Sequence, residues 1–423
     1  MTATFYDLTE EQIIADFGRY VSSGKVELYR QMGLATVPGK REGVRIWSRD
    51  GSRSLINCRA SGGVFNLGHR PPAIVDAIRC ALDTLDINDH LLMSEPRAML
   101  AHRLAELLPG DIQYTTFGVS GGEAVDFALK LARGFTGRPG VISVRGGYHG
   151  HTGLALAAGD PAFRDPFGPP APGFTQVSFG DVPALAQAMS DQVAAVIIET
   201  IPATAGILIP PEGYLTAIRE LCDQYGALFV ADEVQAGLGR TGRLWGIDHW
   251  GIIPDVMVLG KGLSGAIYPI TATCYKPELD RWLAKTNPFI HISTFGGSDL
   301  GCIAALTMLN IITAPGFMEH VEQMGDRLMH GLRTLQAQMP QLISEVRGKG
   351  LMIGVELAGE QFGPMLTVLL AQHGVLAVYA NNRPSTMIVM PPLIITADEV
   401  DEVLDAFGKC FAIMAGRLGN EGE

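Results

Sequence analysis

Lys261 and Asp232 are the two residues of this chain whose types and positions most directly imply chemistry. Each follows a mainly apolar run, residues 227–231 before Asp232 and residues 255–260 before Lys261. A lysine amine can form a Schiff base with an aldehyde, and a carboxylate can keep a pyridine nitrogen protonated so that the ring accepts electrons. An amine and an acid at the two ends of one aromatic aldehyde are what pyridoxal 5'-phosphate (PLP) requires. The pair predicts a PLP enzyme in which Lys261 and Asp232 are catalytic.

Each of these two residues also has a plainer interpretation. A single lysine is most often solvated, and an aspartate at the end of a strand can cap a helix. Both residues here follow runs that are typical of buried strands, and small residues flank Lys261. Ligands bind at the carboxyl ends of the strands of a parallel sheet, which favours the functional interpretation.

The segments around these residues resemble the signature of class III aminotransferases, which are PLP enzymes of fold type I. In chain order they are SGGEA (120–124), GYHG (147–150), PEGYL (211–215), VADEVQAGLGRTG (230–242), PD (254–255), GKGL (260–263), TFGG (294–297) and MPPL (390–393). The resemblance extends from about residue 68 to residue 401 and is nearest to the diamine, or ω-amine, branch. It implies a homodimer with the active site at the interface.

The resemblance also implies which residues bind the cofactor. They are Ser120, Gly121, Gly122, Tyr148, His149, Glu199, Asp232, Gln235, Lys261 and Thr294. The glycine turn would hold the phosphate at a helix N-terminus, Tyr148 would stack on the ring, and Gln235 would contact the ring hydroxyl. Thr294 would reach a phosphate across the dimer interface, and Glu199 would support the polar cluster. Several of these residues also have a plainer interpretation. Residues 120–122 can be an ordinary glycine turn, Tyr148 a core tyrosine beside a hydrogen-bonded histidine, and Thr294 a turn threonine.

The sequence departs from the family pattern at two positions that affect substrate choice. The position of the arginine that binds an α-carboxylate in glutamate-using members is Ile388, and the position of the glutamate that pairs with this arginine is Thr204. Losing both partners leaves a neutral pocket, whereas losing one would leave a buried charge unpaired. Arg383 could replace the missing arginine from another angle or be a solvated loop residue. Val119 stands where the family usually has Asn before the phosphate turn.

These residues predict transfer of an amino group from a primary amine or ω-amino compound to a small 2-oxo acid such as pyruvate. A PLP lyase that releases ammonia or phosphate from a small amino alcohol phosphate or phosphonate is the alternative, since it needs no arginine for a 2-oxo acid.

Residues 237–242 match the GxGxxG dinucleotide pattern, but no helix is predicted to follow at once, which argues against a nicotinamide enzyme. The His149-Gly150-His151 alternation lacks a third ligand nearby, so no metal site is predicted.

The alternation of short apolar runs with helical patterns predicts an α/β fold, with a mainly parallel sheet flanked by helices. The predicted domains are an N-terminal segment (1–67) that packs with the small domain, a large PLP-binding domain (68–312) and a smaller α/β C-terminal domain (313–423). Strands are predicted at 113–117, 141–145, 194–199, 227–231, 256–259 and 270–275, and in the small domain at 343–347, 351–357, 375–379 and 387–390. Helices are predicted within 8–33, with Thr9 as the N-cap, and at 124–133, 211–225, 316–338, 362–373 and from 397. A hairpin is predicted at 45–57 with Asp50-Gly51 as its turn, and a surface loop at 167–173.

Composition limits the possible partners and the compartment. The 423 residues carry a net charge of −12, which argues against binding to nucleic acid or to an acidic membrane surface. Six cysteines are scattered without a CxxC pair, as in free thiols of a reducing compartment. The first residues lack the pattern of a signal peptide, and no apolar run reaches about 20 residues. The sequence therefore predicts a cytoplasmic enzyme of small molecules.

Overall fold

The computed structural model describes residues 8–420. Residues 1–7, where no signal peptide is predicted, lie outside this range. The helices are α1 (Glu10–Tyr20), α2 (Ser23–Gln31), α3 (Pro72–Ala81), α4 (Glu95–Leu107), α5 (Gly121–Thr136), α6 (Gly153–Ala158), α7 (Pro161–Arg164), α8 (Val182–Ala188), α9 (Tyr214–Tyr225), α10 (Pro277–Thr286), α11 (Asp299–Ile312), α12 (Phe317–Gln338), α13 (Phe362–Gln372) and α14 (Ala397–Asn420).

The strands form three sheets. They are β1 (Pro38–Glu42), β2 (Arg45–Ser48), β3 (Ser54–Asn57), β4 (Tyr114–Gly118), β5 (Gly140–Val144), β6 (Phe174–Val177), β7 (Val193–Glu199), β8 (Leu228–Asp232), β9 (Val256–Leu259), β10 (Thr271–Tyr275), β11 (Ile343–Lys349), β12 (Met352–Leu357), β13 (Val375–Leu376), β14 (Val378–Ala380) and β15 (Arg383–Val389). Short 3-10 turns lie at Ala60–Gly63, Asp165–Phe167, Gly246–His249 and Lys261–Ser264.

The largest sheet has seven strands in the order β4-β10-β9-β8-β7-β5-β6. Its strands run in one direction except β10, which is antiparallel to both of its neighbours. Successive residues of β8 pack into different hydrophobic clusters, Phe229 and Ala231 on one face and Leu228 and Val230 on the other. Both faces are therefore covered, as expected for strands that read as continuous apolar runs.

The predicted strands of this sheet are confirmed to within one or two residues, as β4, β5, β7, β8, β9 and β10. The prediction missed β6, whose Phe174–Val177 segment is short and only partly buried. It therefore lacks the apolar run that marks the other strands. The glycine- and proline-rich segment before it is a loop, as predicted.

The N-terminal segment also folds largely as predicted. Thr9 caps α1 through a reciprocal pair of hydrogen bonds with Gln12, and α2 follows after a short break. β2 and β3 form the predicted hairpin. β3 then pairs in parallel with β13, with Ile56 opposite Val375. This sheet therefore joins the N-terminal segment to the C-terminal part of the chain. The domain boundaries near residues 67 and 312 remain a proposal.

Residues 317–420 form a second α/β unit. Its sheet has the order β11-β12-β15-β14, with α12, α13 and α14 packed on it. The single strand predicted at 375–379 is wrong, because Val375 and Leu376 pair with β3 whereas residues 378–380 pair with β15. The strand predicted at 387–390 is the end of a longer one, β15.

In the part of the chain that the structure describes, no single helix is both long and apolar enough to cross a membrane. The consecutive helices α11 and α12 meet the length and composition test together, but they are bent by 71° where they meet.

Candidate active site

The predicted site residues meet at the carboxyl ends of the parallel strands. Glu199 ends β7 and lies opposite Asp232, which ends β8, while Lys261 follows β9, the next strand of the sheet. They line a cavity of about 330 Å³, which we call the Asp232 cavity. Its lining residues are Ser120, Gly121, Gly122, Tyr148, His149, Gly150, His151, Thr152, Glu199, Asp232, Val234, Gln235 and Lys261.

The N-terminus of α5 forms one wall of the Asp232 cavity. Ser120 is the N-cap of this 16-residue helix, and its side chain accepts a hydrogen bond from the Glu123 N–H at 3.3 Å. A Cβ on Gly122 would lie 2.7 Å from Thr152 Oγ1, and a Cβ on Gly150 would lie 2.5 Å from Gly122 Cα. The turn and the helix thus approach more closely than larger residues allow. Free N–H groups at such a helix start favour an anion.

Asp232 is held from two directions. His149 Nδ1 lies 2.8 Å from one carboxylate oxygen, and the Val234 N–H donates to the other at 3.1 Å. Burial opposes a charge on His149, but the hydrogen bond to Asp232, with the negative charges of Asp232 and Glu199, raises the pKa of the imidazole above its ordinary value. His149 Nε2 is buried and has no hydrogen-bond partner among the described residues.

Glu199 supports the same cluster through the backbone. Its Oε1 accepts a hydrogen bond from the Tyr148 N–H at 2.8 Å, which fixes the start of the segment that carries Tyr148 and His149. Burial raises the pKa of Glu199 to about 7, and the charge of Asp232 acts in the same direction, while His149 and Lys261 oppose the shift. Glu199 thus links the end of β7 to the backbone of the segment that carries His149.

Lys261 has an unusual backbone and a buried amine. Its φ of 41° lies in the left-handed region that only glycine adopts readily. Burial lowers the pKa of the amine, although Asp232 and Glu199 act in the opposite direction. A Cβ on Gly62, whose φ is 67°, would lie 3.1 Å from Lys261 Cε. The turn at Ala60–Gly63 therefore lies directly against the lysine, and both the φ of residue 62 and the space beside it favour glycine.

A second cavity of about 260 Å³ adjoins the first, and we call it the Ile388 cavity. It shares Tyr148, His151, Gln235 and Lys261 with the Asp232 cavity, and its further lining residues are Arg59, Ser61, Gly62, Thr204, Val378, Tyr379, Asn381 and Ile388. The two departures from the family pattern, Thr204 and Ile388, thus lie in one wall. Arg383 is not among the lining residues, because its Nε is directed to Glu356 at 3.1 Å.

Thr294 is the predicted site residue that this chain does not bring to either cavity. It lies in an exposed turn between α10 and α11. The sequence prediction in turn missed Arg59, Ser61, Tyr379 and Asn381. The small-residue turn after the predicted hairpin was the available signal for the first two, whereas nothing in the local sequence marks Tyr379 or Asn381.

The GxGxxG pattern at 237–242 opens no helix, as predicted, and its arginine has a different role. Arg240 is fully buried and donates to the carbonyls of Leu351 and Pro391 and to Asn66 Oδ1. This loop therefore braces the large sheet against the C-terminal unit, and it lines neither cavity.

The chain is similar to known proteins over nearly its whole length. The family model for class III aminotransferases matches residues 29–411. A protein of Archaeoglobus fulgidus described as an uncharacterized aminotransferase is 51% identical over 406 residues, which cover 96% of this chain and 95% of the relative.

Solved structures of transaminases share the fold over nearly the whole length. The ornithine aminotransferase of Toxoplasma gondii, described with partial occupancy of PLP at its active site, superposes with a TM-score of 0.88 at 28% identity and covers 97% of this chain and 96% of its own. The ω-transaminase of Pseudomonas jessenii in complex with PMP superposes with a TM-score of 0.87 at 26% identity and covers 93% and 96%.

Proposed function

Because the chain belongs to the class III aminotransferases, which depend on PLP, we propose that it transfers the amino group of a primary amine or ω-amino compound to a small 2-oxo acid such as pyruvate. The donor leaves as an aldehyde or ketone, and the acceptor leaves as an amino acid. One observation carries the proposal: a cavity lined by Lys261, Asp232 and the N-terminus of α5 adjoins a second cavity with Thr204 and Ile388 in its wall.

The residues of the Asp232 cavity fit PLP by their chemistry. They offer an amine for its aldehyde, a carboxylate for its ring nitrogen and a helix N-terminus for its phosphate, in a volume of the size that small-molecule sites have. When bound, PLP supplies an electron sink for the carbanion formed at the substrate carbon. Ser120, Gly121 and Gly122 would hold the phosphate, and Tyr148 and Gln235 would contact the ring.

Lys261 is proposed to move the substrate proton. Its burial lowers the pKa of the amine, which favours the neutral form that can accept a proton. In transamination the same amine first takes a proton from a carbon of the donor and then gives that proton to a second atom. It must therefore act first as a base and then as an acid. The left-handed backbone at Lys261 and the turn around Gly62 support this role, since they limit where the amine can lie.

Asp232 is proposed to hold a proton at the ring nitrogen of the cofactor. His149, hydrogen-bonded to the carboxylate at 2.8 Å, supports this role by orienting it. Glu199 acts through His149 and Tyr148 and is a positioning residue. Each carboxylate oxygen of Asp232 has one protein partner among the described residues, and a carboxylate can accept more.

The neutral wall of the Ile388 cavity supports a small acceptor. Ile388 and Thr204 supply neither the arginine nor the glutamate that serve α-carboxylate recognition in glutamate-using members of the family, so we expect poor use of glutamate and 2-oxoglutarate compared with pyruvate or an aldehyde. No described residue of the two cavities favours the lyase over the transferase. The lyase is therefore an outcome of the test below and not a second proposal.

A homodimer with the active site at the interface belongs to the same proposal. Exposed apolar side chains cluster on two neighbouring segments, which we call the interface patch: Leu91, Leu92, Met93, Phe289, Ile290, Ile292 and Phe295. A hydrogen bond just beyond the two segments, from Arg97 Nε to the Gly297 carbonyl at 2.9 Å, holds them side by side. Large exposed apolar patches mark interaction surfaces. Thr294 lies within the patch, where a second copy could bring it to the site.

A cytoplasmic location is also proposed, and cell fractionation tests it. The six cysteines are free thiols, and all but Cys80 are buried. This pattern supports a reducing compartment.

The test of the function supplies donor amine to the purified enzyme without any acceptor. A transaminase converts one amine per active site, because the nitrogen stays on the enzyme, and pyruvate then restores the starting spectrum and yields alanine. A lyase releases ammonia continuously and keeps its starting spectrum. Absorption spectra and an ammonia assay, recorded together, separate the two. Continuous ammonia release without acceptor would overturn the proposed transfer.

A further inference from the structure

Arg59 is a charged residue of the Ile388 cavity that the reaction described so far does not use. It lines this cavity with Thr204, Tyr379, Asn381 and Ile388. Arg59 and Lys261 are the Arg and Lys residues of the lining, which includes no described Asp or Glu. Since Lys261 is assigned to the cofactor, Arg59 is the cation of this lining that can form an ion pair with an anionic group of the substrate.

The turn that carries Arg59 is built rigidly. Buried Asn57 accepts hydrogen bonds from the N–H groups of Arg59 at 3.2 Å and Ala60 at 2.9 Å. Ala60 and Ser61 have φ values of 43° and 46°, a region that residues with a Cβ rarely adopt. Strained backbone of this kind persists where the surrounding structure fixes it, and it is concentrated at functional sites. The backbone of Arg59 is thus fixed, while its side chain is exposed.

The guanidinium of Arg59 is available for a ligand. Within residues 8–420 it forms no ion pair, and its side-chain contact is a long one to Ser61 Oγ at 3.5 Å. Arg383, in contrast, is already engaged by Glu356. Arg59 and Lys261 line the same cavity, and the charge of Arg59 adds to burial in lowering the pKa of the lysine amine.

We propose that Arg59 binds the carboxylate of the 2-oxo acid acceptor, and so replaces from the opposite end of the chain the arginine that is missing at Ile388. The inference rests on the proposed function. A guanidinium binds a carboxylate through two parallel N–H···O bonds. Tyr379 and Asn381, which line the same cavity, offer further hydrogen-bond donors. The long, exposed side chain can also move aside when an uncharged amine occupies the site.

The experiment compares Arg59→Gln with wild type on two acceptors of equal carbon length, pyruvate and propanal. The variant should lose about 10- to 100-fold in kcat/KM for pyruvate, mainly through KM, because one charge-assisted pair is removed. For propanal, which has no carboxylate, kcat/KM should stay within about threefold. Arg59→Lys keeps the charge without the planar fork and should lie between. Arg49→Gln, on the exposed hairpin turn, is the matched control and should leave both acceptors unchanged.

A binding measurement tests the same contact without turnover. Propanoate, an unreactive carboxylate, should bind wild-type holoenzyme in calorimetry and bind Arg59→Gln at least about tenfold more weakly. Equal losses for pyruvate and propanal, or unchanged propanoate binding, would overturn the role of Arg59. A preference for phosphonate over carboxylate acceptors that depends on Arg59 would also overturn it. If wild type transfers an amino group to neither acceptor while propanoate binding still depends on Arg59, the proposed function fails and the binding site stands.

Discussion

At the scale of single residues, the chemistry depends on the orientation of the Asp232 carboxylate. Asp232 ends a fully buried strand, and His149 and the Val234 N–H fix its two oxygens. The alternation along β8 directs Asp232 to the face that Leu228 and Val230 share with α5. A charged group in this position would hold a proton at the ring nitrogen, and an amide in the same place could not.

The first prediction concerns Asp232→Asn. We expect the folded variant to lose several orders of magnitude in kcat, since an unprotonated pyridine nitrogen is a poor electron sink. Steady-state rates at saturating PLP measure the loss, and circular dichroism checks the fold. The matched control is Asp223→Asn, a change in an exposed carboxylate of α9. A loss below about tenfold, or roughly 1.4 kcal/mol of barrier, would mean that Asp232 is not the partner of the ring nitrogen.

Asp232 and Lys261 could be predicted from the sequence because each follows an apolar run that reads as a strand. Strand ends of a parallel sheet meet at one edge, so local patterns were sufficient to place them. Arg59 could not be predicted in the same way. Its place depends on left-handed φ values at Ala60 and Ser61 and on the close approach of Gly62, in the same turn, to residues 235 and 261 far along the chain.

At the scale of elements, a buried ion network holds the walls of the Ile388 cavity together. Glu356 of β12 accepts hydrogen bonds from Arg347 of β11 at 2.7 Å and from Thr386 of β15 at 2.6 Å. Arg347 also donates to the Gly206 carbonyl at 2.6 Å, at the end of the loop that carries Thr204. The network thus ties this loop to the strand that carries Ile388.

The second prediction is that Glu356→Gln destabilises the fold. Both Glu356 and Arg347 are buried, and removing one charge of a buried pair costs about 3 kcal/mol or more. Urea unfolding at pH 7 measures the change. Glu345→Gln is the matched control, because Glu345 also pairs with Arg347 but its side chain is 58% exposed. A surface pair contributes about 0–1 kcal/mol, and equal losses in the two variants would contradict the network's role.

The same network predicts how stability depends on pH. Burial alone would raise the pKa of Glu356, but hydrogen bonds from Ser385, Thr386, Arg347 and Arg383 lower it from 4.5 to about 2. A lowered pKa stabilises the fold fully above 4.5, and this stabilisation is lost as pH falls from 4.5 toward 2. The drop in unfolding free energy between pH 7 and pH 3 should therefore be smaller in Glu356→Gln than in wild type.

The sequence could place elements whose pattern is local, but not the division of residues 375–380 between two sheets, which depends on a distant partner. β8 and β9 are apolar runs buried on both faces, and their pattern is local. Val375 and Leu376 look continuous with residues 378–380, yet the chain changes sheets between them because β3 offers a free edge. No local pattern in residues 375–379 encodes the position of β3.

At the scale of the whole molecule, the interface patch and Thr294 point to a site completed by a second copy. Leu91, Met93 and Phe295 are more than half exposed, although their chemistry favours burial. Thr294 lies in the same region and lines neither cavity of its own chain. A sequence pattern cannot distinguish a solvent-exposed residue from a residue at a dimer interface, since both are exposed within a single chain.

The last prediction uses mixed dimers to test whether Thr294 acts across the interface. Thr294→Ala alone should bind PLP about tenfold more weakly, because a hydrogen bond to a charged phosphate is lost, and Lys261→Ala alone should not turn over. In a co-expressed heterodimer of the two variants, one of the two sites combines Lys261 of the first chain with Thr294 of the second. That site should regain wild-type activity at a PLP concentration that leaves the Thr294→Ala homodimer mostly empty. Sedimentation should show that each of these species is a dimer. Met93→Glu, a change in the interface patch, should shift the sedimenting mass from the dimer toward the monomer. If Thr294 acts within its own chain, mixing restores nothing, because the chain that keeps Thr294 lacks the lysine.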